Sequence, residues 1–191
     1  MSLVWENDLG GQAFNFGDCY VKWTPAGNGI DLMAEAVRLE WAVRYVSVPR
    51  PLYVGRDDAG AWLVTTPLAG QNAVSPRWKA DPATAVAAIG RGLRAFHDAL
   101  PVDACPYSWS VAARIDDVRR RDGDEAAATV ADAPPVDRLV VCHGDACSPN
   151  TILTDDGRFA GHVDLGEMGV ADHWADVAVA TMSVTWNYGP G

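Results

Sequence analysis

Residues 140–165, VVCHGDACSPNTILTDDGRFAGHVDL, contain most of the side chains that decide how this chain folds and what chemistry it can perform. An apolar run at residues 139–141 predicts a buried strand that ends shortly before Asp145. Asn150 follows five residues later, and a hairpin over residues 151–163, turning at 155–157, leads to Asp164. The spacing therefore predicts that two carboxylates and one carboxamide converge at one end of this hairpin.

This set of side chains suits phosphoryl transfer. Moving the terminal phosphoryl group of a nucleotide requires an acceptor hydroxyl held in line and a divalent metal that neutralises phosphate charge. We expect Asp145 to accept the hydroxyl proton, and Asn150 and Asp164 to hold Mg²⁺ through oxygen atoms. An Asp, an Asn five positions later and a second Asp after a hairpin follow the order of the kinase catalytic loop.

The strings HGDACSPN at 143–150, VDLG at 163–166 and GVAD at 169–172, followed by Asp176, closely resemble the aminoglycoside phosphotransferases, especially the 3′-phosphotransferases. Those enzymes are antibiotic-resistance kinases. The resemblance implies an α+β, protein-kinase-like two-lobe fold, with a small antiparallel-sheet N-terminal lobe carrying one helix and a mainly helical C-terminal lobe. It also implies ATP and Mg²⁺ as cofactors and a small cationic aminoglycoside as substrate. One position departs from the family, which commonly has Arg where this chain has Glu167, so the acceptor stays open.

The nucleotide side of the site is predicted in the first half of the chain. A strand at 18–23 carries Lys22, and a helix runs from residue 31 to about 45. Periodicity leaves Glu35 and Glu40 equally placed beside the buried face of this helix. The resemblance selects Glu35 as the partner of Lys22, because the family has a Trp six residues after its paired Glu, as Trp41 is here. It also places Leu68 near the adenine contact, which is made by backbone groups.

We therefore predict three regions: a nucleotide-binding lobe at 1–66, a hinge at 67–70 and a catalytic lobe at 71–191. Further strands are expected at 5–16, 52–55 and 61–66, and helices from 81 and from near 172. Residues 115–135 predict a helix followed by a mobile connection. The helix from 81 is expected to bury Val86, Ile89, Leu93, Phe96 and Leu100.

Three polar side chains are expected to support the site without reacting. His97 is predicted to be a packed, hydrogen-bonded histidine rather than a ligand. His143 is expected to support the loop rather than act as the base, because Asp145 is better placed to meet a hydroxyl. In kinase-like folds the carboxylate that corresponds to Asp176 holds the backbone of the catalytic loop.

Composition excludes some classes of function. A formal net charge of −10 over 191 residues argues against a nucleic-acid partner and suits a cationic substrate. No run of about 18 apolar residues occurs, so no membrane span or membrane partner is expected. The four cysteines show no metal-ligand spacing and favour free thiols in a reducing cytoplasm.

Three alternatives to an aminoglycoside kinase remain open: a kinase of another acceptor, a protein that binds nucleotide without turnover, and a metallohydrolase. The chain resembles a family whose members continue for several more helices, so we expect its C-terminal lobe to be incomplete. The acceptor could instead be another small amino-alcohol, sugar or antibiotic, or the protein could bind nucleotide without turnover. A metallohydrolase built from His143, Asp145 and Asp164 is a third class, but it leaves Lys22 and Glu35 without a role.

Overall fold

The computed structural model describes residues 1–128 and 134–190. Its N-terminal part is one five-stranded antiparallel sheet, in the order β1-β2-β3-β5-β4, with a single helix between β3 and β4. These elements are β1 Ser2–Glu6, β2 Gln12–Asn15, β3 Tyr20–Pro25, α1 Leu32–Ala42, β4 Pro51–Arg56 and β5 Gly60–Thr65. The predicted strands and helix of this region are all present.

Helix α1 is oriented by its cap and its apolar face. The Asp31 carboxylate accepts the backbone N–H groups of residues 33 and 34, which otherwise have no partner in the first turn. Leu32, Ala36 and Leu39 are buried as predicted, whereas the helix ends at Ala42, three residues before the expected end. The buried face therefore fixes which side of α1 meets the sheet.

The C-terminal part combines helices with two small antiparallel sheets, ordered β10-β7 and β6-β8-β9. Its elements are β6 Gln71–Asn72, α2 Pro76–Lys79, α3 Pro82–Ala99, α4 Val111–Asp122, α5 Asp124–Ala128, β7 Leu139–Cys142, β8 Thr151–Leu153, β9 Phe159–His162, β10 Gly169–Asp172 and α6 Trp174–Tyr188. The predicted helix near residue 115 is present as α4. The predicted mobile connection falls partly on residues 129–133, which lie outside the described residues.

The buried face of α3 differs from the predicted one. Asp81 caps the helix and Pro82 is its first residue, as expected, but Val86 is 37% exposed and its predicted burial is wrong. The reason is a contact distant in sequence: Ala85 and Ala88 pack against α2 and β8, which turns the small residues of α3 inward. The rest of the predicted stripe, from Ile89 to Leu100, is buried.

Strand β10 was not predicted, and it changes the environment of β7. The two strands pair antiparallel from Gly169 opposite Cys142 to Asp172 opposite Leu139. Leu139 is 50% exposed, so its predicted burial is wrong, while Val140 and Val141 are buried. Helix α6 follows β10 directly, which places the start of α6 beside the start of β7.

One hydrophobic cluster connects the two parts of the chain. It contains residues of α1, β5, α3 and β7 together with the segment that follows Asp164; its members include Leu39, Leu63, Phe96, Val141 and Leu165. Because α1 and the catalytic hairpin share this core, the side chains that they project toward each other are held in a fixed relation. In the described part of the chain, no helix combines the length and the apolar character needed to span a bilayer.

Candidate active site

The hairpin that follows β7 brings Asp145, Asn150 and Asp164 together, as the spacing predicts. Asn150 ends a single 3-10 turn, and its Nδ2 donates to Asp145 Oδ2 at 2.9 Å and to the Asp145 carbonyl at 3.0 Å. The backbone N–H of Val163 donates to the Asn150 carbonyl at 3.0 Å. The loop after β7 and the end of β9 are therefore joined where Asp164 begins.

Asp164 has an unusual backbone conformation. Its φ of +66° makes it the only non-glycine residue with positive φ in the described ranges. The left-handed region costs an L-residue roughly 1–2 kcal/mol, although Asp tolerates it better than most residues. Such strain is found mainly where surrounding structure holds a functional side chain in place. Here it turns the carboxylate toward β3 and α1.

Asp164 meets the strand lysine and the helix glutamate. Lys22 Nζ lies 2.7 and 2.9 Å from the two carboxylate oxygens of Glu35 and 2.8 Å from Asp164 Oδ1. Glu35 has a side chain that is only 5% exposed, whereas Lys22 and Asp164 keep 26% and 38% of theirs exposed. Glu40 lies on the solvent side of α1. The ambiguity between Glu35 and Glu40 is thus resolved in favour of Glu35.

Lys22 and Asp164 stabilise each other's charged form, whereas burial and then the charge of Asp164 raise the pKa of Glu35 against the opposing effect of Lys22. Burial lowers the pKa of Lys22, but the carboxylates of Glu35 and then Asp164 outweigh burial, so its pKa is raised. Burial raises the pKa of Asp164, and the charge and hydrogen bond of Lys22 outweigh that effect and lower it. The pair is therefore held as ammonium and carboxylate, with exposed surface on both partners through which a ligand can approach.

His143 is fully buried and links the two sides of the hairpin. Its Nδ1 accepts the Asp145 backbone N–H at 3.3 Å, so the ring proton resides on Nε2, which donates to the Val163 carbonyl at 3.0 Å. Both ring nitrogens are occupied within the protein. This arrangement fits the predicted supporting role and disfavours a metal-ligand role for His143, on which the metallohydrolase alternative depends.

Asp176 holds the backbone of the catalytic loop from α6. Its carboxylate accepts hydrogen bonds from the backbone N–H groups of His143 at 2.7 Å and Gly144 at 3.0 Å, and from a ring nitrogen of His97 at 2.8 Å. Burial raises the pKa of Asp176, but the hydrogen bond from His97 and the nearby loop groups outweigh it and lower the pKa. The packed, hydrogen-bonded state predicted for His97 is confirmed.

Comparison with known proteins places this arrangement in a family. The model of the phosphotransferase enzyme family matches residues 24–190. The chain belongs to that family. An aminoglycoside 3′-phosphotransferase of Streptomyces fradiae is 37% identical over 82% of this chain, and a streptomycin 3″-kinase of Streptomyces griseus is 32% identical over 96% of it. The chain spans 66% and 78% of the lengths of these two relatives.

The fold agrees with that assignment. A solved structure of an aminoglycoside phosphotransferase of Streptomyces rimosus, in complex with ADP and streptomycin, aligns with a TM-score of 0.71 at 27% identity, covering 97% of this chain and 78% of the other. The predicted α+β fold, with its antiparallel N-terminal sheet and single helix, is therefore confirmed.

Two groups that hold the site of this family member were not identified from the sequence. The Ser183 hydroxyl accepts the backbone N–H of Ser148 at 2.9 Å, and Arg38 Nε donates to the Met168 carbonyl at 3.0 Å. Ser183 lies seven residues after Asp176, two turns along the same face of α6, and that spacing is the signal that could have identified it. Arg38 lies three residues after Glu35 on α1.

Glu167, where the phosphotransferases commonly have Arg, lies against the catalytic loop. A Cβ atom on Gly144, whose φ is +87°, would lie 2.3 Å from the Glu167 carbonyl oxygen, so only glycine fits there. Partial burial raises the pKa of Glu167; Arg38 opposes this shift, and nearby carboxylates, first that of Asp117, add to it. The loop is therefore bordered by negative charge.

The oxygen atoms left free at the site have the chemistry of a magnesium site. Toward the described residues, the Asn150 side chain makes its hydrogen bonds through Nδ2, so Oδ1 is available. Lys22 engages Oδ1 of Asp164, so Oδ2 of that carboxylate is available within the same residues. Carboxylate and amide oxygens are the ligands that Mg²⁺ prefers. The donor chemistry of Asn150 and Asp164 therefore fits Mg²⁺.

Leu68 lies between the N-terminal sheet and the catalytic hairpin. A Cβ atom on Gly161 of β9 would lie 2.8 Å from Leu68 Cδ1, so the leucine side chain packs over that glycine. The backbone N–H and C=O of Leu68 make no hydrogen bond to another described residue. Both are free for a ligand, as the predicted adenine contact requires.

Proposed function

We propose that this chain carries an ATP-dependent phosphotransferase site that moves the γ-phosphoryl group of ATP to a hydroxyl of an aminoglycoside. One observation carries the proposal. Lys22 with Glu35, and Asp145 with Asn150 and Asp164, come from separate parts of the chain and meet at one place with the distances given above. The names of the relatives support the choice of acceptor class.

Asp145 is the proposed base. Its Oδ2 accepts a hydrogen bond from the Asn150 amide and its backbone N–H donates to His143, so the carboxylate is held in one orientation. A positioned carboxylate of this kind takes the proton of the attacking hydroxyl as the bond to phosphorus forms. The loop contributes the orientation of this carboxylate.

Lys22 and Asp164 are proposed to exchange partners when nucleotide binds. The three N–H groups of an ammonium are matched by three contacts, two to Glu35 and one to Asp164. A phosphate oxygen can therefore reach Lys22 only by replacing one contact, and Asp164 is the more exposed partner. Asp164 is then free to join Asn150 in holding Mg²⁺, which when bound neutralises phosphate charge.

Leu68 is proposed to offer its free backbone groups to adenine. The corresponding division of the chain is a nucleotide-binding lobe at 1–66, a hinge at 67–70 and a catalytic lobe at 71–191. The continuous hydrophobic cluster between α1 and the segment after Asp164 supports a fixed relation between the two lobes at this hinge.

The acceptor is proposed to be cationic. The net charge of −10 and the carboxylates of Asp145, Glu167 and Asp117 near the loop favour a substrate that carries ammonium groups. The named relatives modify different positions of aminoglycosides. Another small hydroxyl-bearing molecule, such as an amino-alcohol, a sugar or another antibiotic, is the alternative that Glu167 keeps open.

The test is ADP release from Mg·ATP by the purified chain, with kanamycin, neomycin and streptomycin each added separately. Asp145→Ala provides the blank. Stimulation by an aminoglycoside that disappears in the variant is the expected result. ATP binding without stimulation by any aminoglycoside would contradict the proposed acceptor, and acceptor-independent hydrolysis that survives Asp145→Ala would contradict the proposed base.

A further inference from the structure

Three metal-ligating side chains meet beneath the catalytic loop, outside the proposed phosphoryl-transfer centre. The ligand atoms of His97, Cys142 and Asp176 all lie within 4.8 Å of one another, and all three residues are buried. They come from α3, β7 and α6, so the tertiary fold rather than a sequence motif brings them together. Among the described residues, this is the one such group of three or more.

The chemistry of the group favours a particular class of ion. A thiolate, an imidazole and one carboxylate are the ligands of Zn²⁺, Co²⁺ and related transition metals, whereas Mg²⁺ prefers oxygen alone. Three protein ligands with one open position also match the coordination number of many zinc sites. The group is therefore chemically distinct from the oxygen atoms of Asn150 and Asp164.

An ion can bind here without breaking the support of the loop. Asp176 Oδ1 accepts from the Gly144 N–H, and Oδ2 accepts from the His143 N–H and from His97 Nε2. A metal between Asp176 and His97 replaces only the His97 proton, and a carboxylate has enough lone pairs to keep both bonds to the loop.

Metal binding changes the protonation of two of the three ligands, His97 and Cys142. The His97 ring proton moves from Nε2 to Nδ1, and the Cys142 thiol releases its proton to solvent as the metal–sulfur bond forms. In the protein without metal, burial and then the charge of Asp176 raise the pKa of the Cys142 thiol, so the sulfur is neutral. Its present contact is weak, a 3.4 Å approach of Sγ to the Asp172 carbonyl. One proton is therefore released for each ion bound.

The route to the group is a cavity between α3 and α6. The cavity has a volume of about 540 Å³, and His97 is among its lining residues, with Leu93, Val177 and Ala180. None of the residues proposed for phosphoryl transfer lines it. A hydrated ion can enter from this side, and a water molecule from the cavity can supply the fourth ligand.

We propose that His97, Cys142 and Asp176 form a binding site for a Zn²⁺-class transition-metal ion, which links α3, β7 and α6 beneath the catalytic loop. This inference goes beyond the proposed kinase activity and does not depend on it. The site can bind metal whether or not the chain transfers phosphate, and the experiment below measures no turnover.

Cobalt is a suitable probe because a thiolate bound to Co²⁺ absorbs in the near ultraviolet. The chelator-treated, reduced full chain is titrated with Co²⁺ in the presence of millimolar Mg²⁺, and Zn²⁺ is then added as competitor. We expect one Co²⁺ per chain, a thiolate absorption band, and loss of that band on addition of Zn²⁺. A folded protein that binds no Co²⁺, or binds it without the thiolate band, would overturn the proposal.

Two cysteine variants form a matched pair. Cys142→Ser should lower Co²⁺ affinity by more than about 100-fold, since losing even an outer partner of a metal ligand typically costs 10–100-fold. Cys105→Ser should leave affinity and absorption unchanged, although its thiol also contacts a backbone carbonyl, that of Tyr107. A band that persists in Cys142→Ser, or is lost in Cys105→Ser, would refute the assignment.

A third variant covers the case in which Cys142→Ser does not fold. His97→Gln keeps an N–H donor for Asp176 but removes the imidazole ligand. Its circular dichroism should match the parent protein while its affinity for Co²⁺ falls by a similar factor. Tight binding with an unchanged band in folded His97→Gln would show that the ion binds elsewhere.

Discussion

Acidification should destabilise this fold through His162, a histidine buried on β9 behind the catalytic loop. The residue is 2% exposed, and neither of its ring nitrogens has a hydrogen-bond partner at bonding distance and angle among the described residues. The rings of Phe96, Phe159 and His143 surround it, with centroids 4.8–5.3 Å away. Burial, and then the proximity of His143, lower the pKa of His162 to about 3.

The sign and magnitude follow from linkage. The unfolded chain takes up a proton on this ring below about pH 6.5, whereas the folded chain does not until about pH 3, so stability is lost as pH falls through that window. One such group lowers the free energy of unfolding by about 2 kcal/mol between pH 7 and pH 5. The carboxylates with lowered pKa, Asp164 and Asp176, lose their contribution only at lower pH.

The assay is urea unfolding at pH 7, 6 and 5 for the parent protein and His162→Leu, which fills the same apolar space without a titrating ring. Between pH 7 and pH 5, the free energy of unfolding should fall by about 2 kcal/mol less in His162→Leu than in the parent protein. The control is His173→Gln, because His173 lies outside this aromatic group and bonds to the exposed Asp137. Between pH 7 and pH 5 this control should lose as much free energy of unfolding as the parent protein. An identical pH dependence in the parent and His162→Leu would refute the reasoning.

Two further predictions concern groups that hold the site in place. Glu35→Gln removes the buried charge partner of the β3 lysine and should lower kcat/KM for ATP by roughly 10- to 100-fold, from about 1.5–3 kcal/mol for a charged hydrogen bond. Glu40→Gln, the same change on the exposed side of α1, should leave kcat/KM for ATP unchanged. If the two variants lowered kcat/KM equally in steady-state assays, the pairing of Lys22 with Glu35 would be contradicted. Gly144→Ala forces a Cβ atom to within 2.3 Å of a carbonyl oxygen and should reduce turnover by about 100-fold, because misplacement by about 1 Å costs that much. Gly123→Ala has a similar positive φ but meets nothing within 4 Å, so its turnover should stay near the parental rate, and similar losses in both variants would exclude a steric cause.

The catalytic hairpin could be predicted because its information is local. The spacing between Asp145 and Asn150 and the turn before Asp164 both lie within one short stretch of sequence. The geometry of the hairpin then brings Asp164 to the same end as the other two side chains. The choice between Glu35 and Glu40 could not be made from periodicity, since both flank the same stripe. It depends on which side of α1 faces Lys22, and that is set by packing against the sheet.

The errors in the fold have a common physical origin. Val86 is apolar and regularly spaced, yet contacts of neighbouring α3 residues with α2 and β8 turn it outward. Strand β10 is four residues long, begins with Gly169, and forms only because β7 lies beside it. Short strands and helix faces of this kind are decided by tertiary partners, which override local preference.

The most direct test of the central claim is single-turnover transfer of the γ-phosphoryl group from labelled Mg·ATP to an aminoglycoside, with nucleotide affinity measured on the same samples. Parent protein and Asp145→Asn are compared, because the variant keeps the shape of the side chain and removes its proton acceptor. We expect transfer to fall by roughly 10²–10⁴-fold, the usual contribution of a general base, while the Kd for ATP stays within about twofold. Transfer at the parental rate in a folded Asp145→Asn would contradict the assignment of Asp145 as the base at this site.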